Sequence, residues 1–405
     1  MTIHPTSTGR LLVIVSETVS EWIEKGEVVD RYYNPGDRFD DVHLLLLNDD
    51  SPDPGELQRL VGSARLTLHN LPTGAPRLAR TLTPRPALGR RQTERAVRLA
   101  REIAPDLVRC YGAGLNGLCA LEIRRVLRVP IVVSLHTLPD DSAYPPVKGR
   151  RQRAEMRTIR RVRERVLREA DLVLAVYRSL VPYLERIGAR RIEVAYSVLN
   201  AAALRVKDDY QLHDPVRVLC VGRQIPGKDP RALLQAIADR QRMELDLIGD
   251  GSLHSAVNLM VAESGVGERV RVRRAVTNDD IVAMLPDYDI FAVHNDYQGI
   301  PKAVLEPMLS GLPVLINRGA YGSVPEITDE VALIVEGTPE GYGAGLDSLI
   351  AEGALREQLG RAGRAWAESA CAPARAEARI VALYDDLLIA PVGAQRHGRG
   401  SSSIA

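Results

Sequence analysis

Cysteine is scarce in this sequence: Cys110, Cys119, Cys220 and Cys371 are the only four in 405 residues, widely spaced and without a C-x-x-C pair. That excludes a disulfide framework and a cysteine-based zinc site, and reads as small buried hydrophobes in a reduced cytoplasm. Long apolar runs are also missing, since no uncharged stretch approaches the roughly 20 residues that cross a bilayer. The amino-terminal MTIHPTSTGRLLVIVSET has no basic region ahead of its short apolar run, so a secretory signal is not expected. No cluster of Asp or His stands at metal-ligand spacing, and neither a metal nor another cofactor is expected. Net charge is nearly absent, +1 overall, but the sum conceals an asymmetry. Residues 1–200 carry 32 Lys+Arg against 24 Asp+Glu, whereas residues 201–405 carry 21 against 28. Halves of opposite sign point to two domains facing different partners.

What is present is ordinary globular material. Hydrophobic residues make up 45% and charged ones 26%, and 405 residues exceed the length at which a single core stops growing, so two domains are expected. Short apolar runs read as buried strands at 11–15, 42–47, 107–110 and 131–135, with two more in ADLVLAVY and RRIEVAY. Helical spacing lies between them at 91–103, 118–127 and 151–169, the first stopped by Pro105. Strands alternating with helices imply a doubly wound parallel sheet. The pattern restarts after RVKDDYQLHDP, with strands at 216–221, 244–248, 270–272, 289–293, 314–316 and 332–335. Helices are expected there at 230–239, 252–264, 279–285 and 302–310, and later at 355–370 and 374–388. The tail GAQRHGRGSSSIA is too poor in apolar residues to fold.

Ligands of open α/β sheets bind beyond the carboxyl ends of the strands, which directs attention to the loops there. In VGRQIPGKDP, Gly222 ends a strand, and Arg223 and Lys228 flank a Pro-Gly turn that opens into a helix. Two cations five residues apart, with helix amides behind them, suit a diphosphate; two solvated cations on a surface loop also fit the local sequence. LIGDGSL places Gly249, Asp250 and Gly251 after a strand, where glycine often serves only for positive φ. RRAVTNDDI, which contains Val276, gives a strand, a loop and a capped helix start that could lie against a flat nucleobase or be a plain connection. In HNDYQGIPKAVLEPMLSGLPVLINR, Gly299 and Pro301 shape a loop, helix 302–310 ends at Gly311, and Glu306 stands among Ala303, Val304, Leu305, Met308 and Leu309. A carboxylate there must be hydrogen-bonded, or its desolvation is costly. It only accepts, so a vicinal diol is one natural partner and a neighbouring arginine or loop amide is another.

In order and register these residues resemble the retaining, nucleotide-sugar-dependent glycosyltransferases of group 1 (family 4-like). The resemblance covers most of residues 95–390 and is densest over 218–336. VGRQIPGK matches the family's strand–GR–x4–K loop, and QGIPKAVLEPMLSGLPVL matches its E-x7-E element with the G-x-P turn, the L-E helix and the G-x-P-V strand. GSVPEITDEVALIVEG matches a later glycine–glutamate turn, while PDLVRCYG, VPIVVSLHT and ADLVLAVY follow the family's strand order in the first domain. The resemblance implies an α/β fold of GT-B type, with two doubly wound Rossmann-like domains facing a central cleft. It implies an acceptor-side domain over 1–205, a nucleotide-sugar donor domain over 206–372, and a helix over 373–390 crossing back to the first domain, with 391–405 as a disordered tail.

Residue roles carry over on the same terms. Arg223 and Lys228 would bind the donor diphosphate and neutralise the leaving group, and Glu306 would hold the ribose hydroxyls. Gly222, Val276, Gln298, Gly299, Ile300 and Pro301 would line the donor. His136, at the end of a first-domain strand, matches the histidine expected near the transferred sugar; an ordinary strand-ending histidine fits locally as well. Cations and amides placed at the diphosphate stabilise the charge that grows there as the anomeric carbon becomes oxocarbenium-like. The family pattern needs no metal and implies retention of configuration.

Three departures qualify the resemblance. Gln298 stands where the family has the first Glu of E-x7-E, and it brings no negative charge to a cationic sugar. The family's glycine-rich loop after the first strand is absent, VIVSETVSEWIEKGE offering Ser16 and Glu17 instead. VAYSVLN replaces an N-G-V-D-like turn. A basic run from Arg150 to Arg168 lies in KGRRQRAEMRTIRRVRERVLREAD, ten Lys+Arg against four acids. It suits an anionic membrane surface, each cation there contributing about 1 kcal/mol, or a solvated helix paired with its own acids. Nucleic acid is not an expected partner, since Tyr144 is the only aromatic nearby. The expected function is transfer of a hexose from a nucleotide-sugar donor to a saccharide or lipid-linked acceptor in cell-surface glycan assembly, in the cytoplasm or peripherally on the inner face of the membrane. The alternatives are a sugar-nucleotide-binding protein with weakened catalysis, motivated by Gln298, and a sugar-nucleotide 2-epimerase of the same fold.

Overall fold

The computed structural model describes residues 9–24, 28–72, 86–137, 150–197, 199, 204–319 and 324–389. Residues 391–405, Lys148, and Gly322 and Ser323 of the glycine–glutamate turn lie outside them. The described strands form two sheets. The first contains β1 (Arg10–Val15), β2 (Asp41–Leu46), β3 (Arg65–Asn70), β4 (Leu107–Tyr111), β5 (Ile131–Leu135), β6 (Leu172–Ala175) and β7 (Ile192–Val194), in the order β3-β2-β1-β4-β5-β6-β7. The second contains β8 (Val216–Val221), β9 (Met243–Ile248), β10 (Val270–Arg273), β11 (Ile290–Val293), β12 (Val314–Asn317) and β13 (Leu333–Val335), in the order β10-β9-β8-β11-β12-β13. The strand pairings in both sheets are parallel, Leu11 facing Leu107 across the centre of one and Ile290 facing Val218 across the centre of the other.

Central strands read as unbroken apolar runs because helices cover both their faces; β4 and β5 are buried at every position. In each sheet the winding reverses beside the first strand, between β1 and β4 and between β8 and β11. A reversal parts the neighbouring crossovers and leaves a crevice at the carboxyl ends of the strands. The two crevices face one another and define the cleft.

Several elements are not expected from the sequence, among them the short helices Ser20–Glu24, Pro54–Leu57 and Val181–Arg186, the strand β3 and one long helix. β3 is an edge strand whose residues are half-buried or exposed, so its apolar signal is weak. The helix Pro339–Ala351 contains Gly341, Gly343 and Gly345, which mask its periodicity. Gly345 is there for packing: a Cβ would stand 2.7 Å from Leu315 Cδ1 and 2.9 Å from Val335 Cγ1, so only glycine lets the helix lie on β12 and β13. Thr338 caps its start by accepting from the Gly341 amide.

The last helix, Pro373–Ile389, returns to the first sheet. Its Ile380, Leu383, Tyr384 and Leu387 share one core with Leu11, Val13, Val42 and Leu44. The Tyr384 hydroxyl accepts a 2.6 Å hydrogen bond from the buried guanidinium of Arg109 on β4, which also donates to Ser134 Oγ. The chain thereby joins its two sheets twice, once through residues 204–215 and once through this helix.

Candidate functional site

A cavity of about 660 Å³ occupies the cleft, and His136 of the first domain meets Gly222, Arg223, Lys228, Val276, Pro301 and Glu306 of the second on its walls. The loop after β8 carries Arg223 and Lys228 and is shaped from two sides. Gly249 (φ +152°) sits so close beneath it that a Cβ would lie 1.9 Å from the Gly222 carbonyl oxygen, and a Cβ on Gly251 would lie 2.3 Å from that of Gln224. These glycines of LIGDGSL are required by the close approach of two loops. From the other side, the Tyr297 hydroxyl donates to the Pro226 carbonyl at 2.7 Å, and the Asp296 amide donates to that of Gly227 at 2.8 Å. Lys228 Nζ lies 5.6 Å from the centre of the Tyr297 ring, a cation–π geometry. Arg223 is exposed at the mouth of the cavity.

Glu306 lies on the helix Lys302–Ser310 and is buried at 5% exposure. Asn278 Nδ2 donates to its Oε1 at 2.9 Å. Burial raises its pKa to about 7, against the opposing pull of the Asn278 hydrogen bond and the nearby Lys302 ammonium. One neutral amide is a thin set of partners for a buried carboxylate that faces a cavity, and the arrangement leaves acceptor capacity for hydroxyls brought by a ligand.

His136 is half-buried and stacks on Tyr111 with ring centres 5.9 Å apart. Its Nε2 is enclosed and has no hydrogen-bond partner. Desolvation, with Lys302 and Arg109 adding to it, drives its pKa down to about 3. The imidazole is therefore neutral at physiological pH and offers a hydrogen bond rather than a charge.

Gln298, Gly299 and Ile300 do not line the cavity. A first-domain turn holds their loop instead: Ser179 Oγ donates to the Gln298 carbonyl, and a Cβ on Gly299 would lie 2.5 Å from Tyr177 Cζ. Ile300 is buried at 6% exposure. The same turn reaches Glu326, whose Oε1 accepts from the Arg178 amide at 2.6 Å and from the Tyr196 hydroxyl at 3.2 Å. The first domain thus grips the loop between β11 and its helix.

Sequence reasoning missed several residues of the cavity. Lys302, the first residue of the Glu306 helix, places its ammonium 4.9 Å from the centre of the Tyr32 ring across the cleft. Asn278 belongs to RRAVTNDDI, where the sequence points to the backbone and not to this side chain, and Trp22 and Tyr32 lie in or beside the segment that lacks the family's glycine-rich loop. Of the basic run, Arg160 pairs with Glu164 at 2.9 Å and Arg165 with Glu169 at 2.8 Å, while Arg157, Arg161 and Arg168 are exposed. Among the described residues, no helix is long and apolar enough to cross a membrane.

Comparison with known proteins divides the chain at the same place as the two sheets. The model for Glycosyltransferase Family 4 matches residues 37–203, and that for Glycosyl transferases group 1 matches residues 206–366. The lipopolysaccharide core biosynthesis glycosyltransferase LpsE of Rhizobium meliloti is 28% identical over 160 residues, 39% of this chain and 46% of the relative. A GDP-mannose-dependent alpha-(1-6)-phosphatidylinositol monomannoside mannosyltransferase of Mycolicibacterium smegmatis is 27% identical over 180 residues, 41% of this chain and 47% of the relative. The chain spans about half the length of these curated relatives, at 46% and 47%. Among solved structures, Anabaena HepE in complex with UDP superposes with a TM-score of 0.68 at 16% identity, over 93% of this chain and 100% of HepE, a likeness of fold. With both halves matched in order and two doubly wound parallel sheets facing one cleft, the chain belongs to the group 1 glycosyltransferases of the GT-B fold.

Proposed function

We propose that the chain transfers a sugar from a nucleotide-diphosphate-sugar donor to a saccharide or lipid-linked acceptor, with retention, in the assembly of a cell-surface glycan. The observation that carries this reading is the convergence of Arg223, Lys228 and Glu306 on one cleft that His136 closes from the other domain. Arg223 and Lys228 would face the diphosphate, Glu306 the ribose diol, Val276 and the Asn278 turn the base, and His136 a hydroxyl of the sugar. The bond from the anomeric carbon to the diphosphate oxygen breaks and its electron pair passes to the phosphate, where the two cations stabilise it. The acceptor oxygen bonds to the same face of that carbon, and its proton leaves with the phosphate. A neutral His136 suits this chemistry, because a cation beside an oxocarbenium-like carbon would oppose it.

Catalysis on this reading is independent of a divalent metal, since side-chain cations occupy the place a metal would take. Activity that persists in EDTA supports this, and activity lost in EDTA and restored by magnesium contradicts it. The exposed Arg157, Arg161 and Arg168 support peripheral contact with the anionic inner face of a membrane, tested by vesicle flotation before and after charge reversal at Arg157, Arg160 and Arg161. A second reading, a sugar-nucleotide-binding protein with weakened catalysis, draws on Gln298 and on a loop held away from the cavity. Thermal-shift screening with UDP-, GDP- and ADP-sugars tests the shared part of both readings, because a ligand that binds only the folded state raises its stability. Sustained release of nucleoside diphosphate then favours the enzyme, and saturable binding without release favours the binding protein.

A further inference from the structure

The first-domain wall of the cavity is apolar and aromatic where the opposite wall is cationic. Trp22, Val29, Tyr32 and Leu60 line it, and none of the four carries a charge. Trp22 stands in the stretch that departs from the family's glycine-rich loop, so the departure has replaced a bare backbone turn with an indole. The placement is built, not incidental. Trp22 lies on the short helix Ser20–Glu24, whose start is held by Asp50: one carboxylate oxygen accepts from the Val19 amide at 2.6 Å and from the Ser20 amide at 3.0 Å. Behind it the indole meets Tyr32 edge-on at 6.1 Å and inclines against Tyr33 at 6.4 Å. Both rings are half-buried and line the cavity, but Tyr32 already meets Tyr111 at 5.3 Å and the Lys302 ammonium at 4.9 Å, which leaves Trp22 as the ring with fewer partners on the cavity side.

We infer that this wall is an acceptor subsite in which a neutral sugar ring packs its C–H face on Trp22; the inference rests on the glycosyltransferase reading above. A pyranose presents carbon-bound hydrogens on its faces and hydroxyls around its rim, which matches an indole flanked by a few polar groups. His136 lines the same cavity beside this wall and brings a neutral imidazole to it. A phosphorylated headgroup would need cations here, and Lys302, the cation that reaches this wall, is engaged with Tyr32. A nucleobase is better served on the other side, next to the residues placed to hold its ribose and diphosphate.

The chain has two tryptophans, and Trp366 packs on Tyr196 and does not line the cavity. Trp366→Phe therefore makes Trp22 the sole fluorescent indole. In that background, loaded with the nucleoside diphosphate selected from UDP, GDP and ADP by thermal shift, titration with methyl hexosides and neutral disaccharides is expected to quench Trp22 saturably. Trp22→Ala is expected to raise the acceptor KM by about threefold to tenfold, the scale of one lost aromatic contact, with Trp22→Phe recovering part of it and the nucleotide thermal shift unchanged. Loss of the nucleotide shift in Trp22→Ala would overturn the subsite and assign the indole to the base. An unchanged acceptor KM with no fluorescence response would overturn it too. Absence of any nucleotide shift in the parent chain would instead remove the glycosyltransferase reading on which the subsite stands.

Discussion

At the scale of single residues, Glu306 is the most informative group. Its folded-state pKa of about 7 exceeds the ordinary 4.5, so the folded protein holds the proton more tightly than the unfolded chain does. The contribution of this group to stability is therefore full below about pH 4.5 and declines as pH rises toward 7. Glu306→Gln should then stabilise the ligand-free protein at pH 8, by up to about 3 kcal/mol, and the gain should shrink to under about 1 kcal/mol near pH 5. If Glu306 holds the ribose as proposed, hydroxyls donate to its ionised form, so nucleotide affinity should tighten as pH rises through 7 in the parent chain and not in Glu306→Gln. Calorimetry at pH 6 and pH 8 reads both effects. Equal melting temperatures at the two pH values, with the same nucleotide response in the variant, would contradict the assignment. Arg223→Ala and Lys228→Ala should each lower turnover by about 10²–10³ while the melting temperature holds, as expected for groups that meet charge mainly as it develops.

At the scale of elements, the strands were the most legible features and the contacts between loops the least. Runs such as LLVIV and the VLCV of VRVLCV are apolar on both faces because helices cover both sides of a parallel sheet, and each appears in a strand at nearly the expected bounds. The helix Pro339–Ala351 stayed hidden because its glycines answer to neighbours that no helical spacing reports, Gly345 to Leu315 and Val335 and Gly343 to the Arg240 guanidinium. The residues of VGRQIPGK and the carboxylate of VLEPM could be picked out from local pattern and family resemblance, and they share one cavity. The grip of the first-domain turn on Gln298 and Gly299 was illegible, since no local pattern reports a packing partner more than a hundred residues away. That grip yields a prediction. Gly299→Ala should destabilise the protein by about 1–3 kcal/mol, because its methyl collides with the Tyr177 ring. Tyr177→Ala in the same chain should recover most of that loss, and chemical denaturation of the two single variants and the double variant measures the coupling. Additive losses would mean that the two residues do not touch in solution.

At the scale of the whole molecule, the two sheets act as one machine only because the chain ties them together. The last helix buries Tyr384 in the first domain's core and helps satisfy Arg109, a buried cation that donates to Tyr384 and Ser134 and lies 4.6 Å from the centre of the Tyr111 ring. Tyr384→Phe keeps the ring and deletes the acceptor, and should cost about 1–3 kcal/mol in denaturant unfolding. The opposite net charges of the two halves follow the two domains, the cationic half holding the run from Arg150 to Arg168 and the other half holding Arg223, Lys228 and Glu306. The account as a whole stands on sugar transfer from a nucleotide donor, and the most direct measurement is release of nucleoside diphosphate by the full chain from UDP-, GDP- and ADP-sugars. One nucleotide class should give sustained release that rises with a saccharide acceptor and collapses in Arg223→Ala and Glu306→Ala. No release from any donor, or release indifferent to both substitutions, would contradict the account.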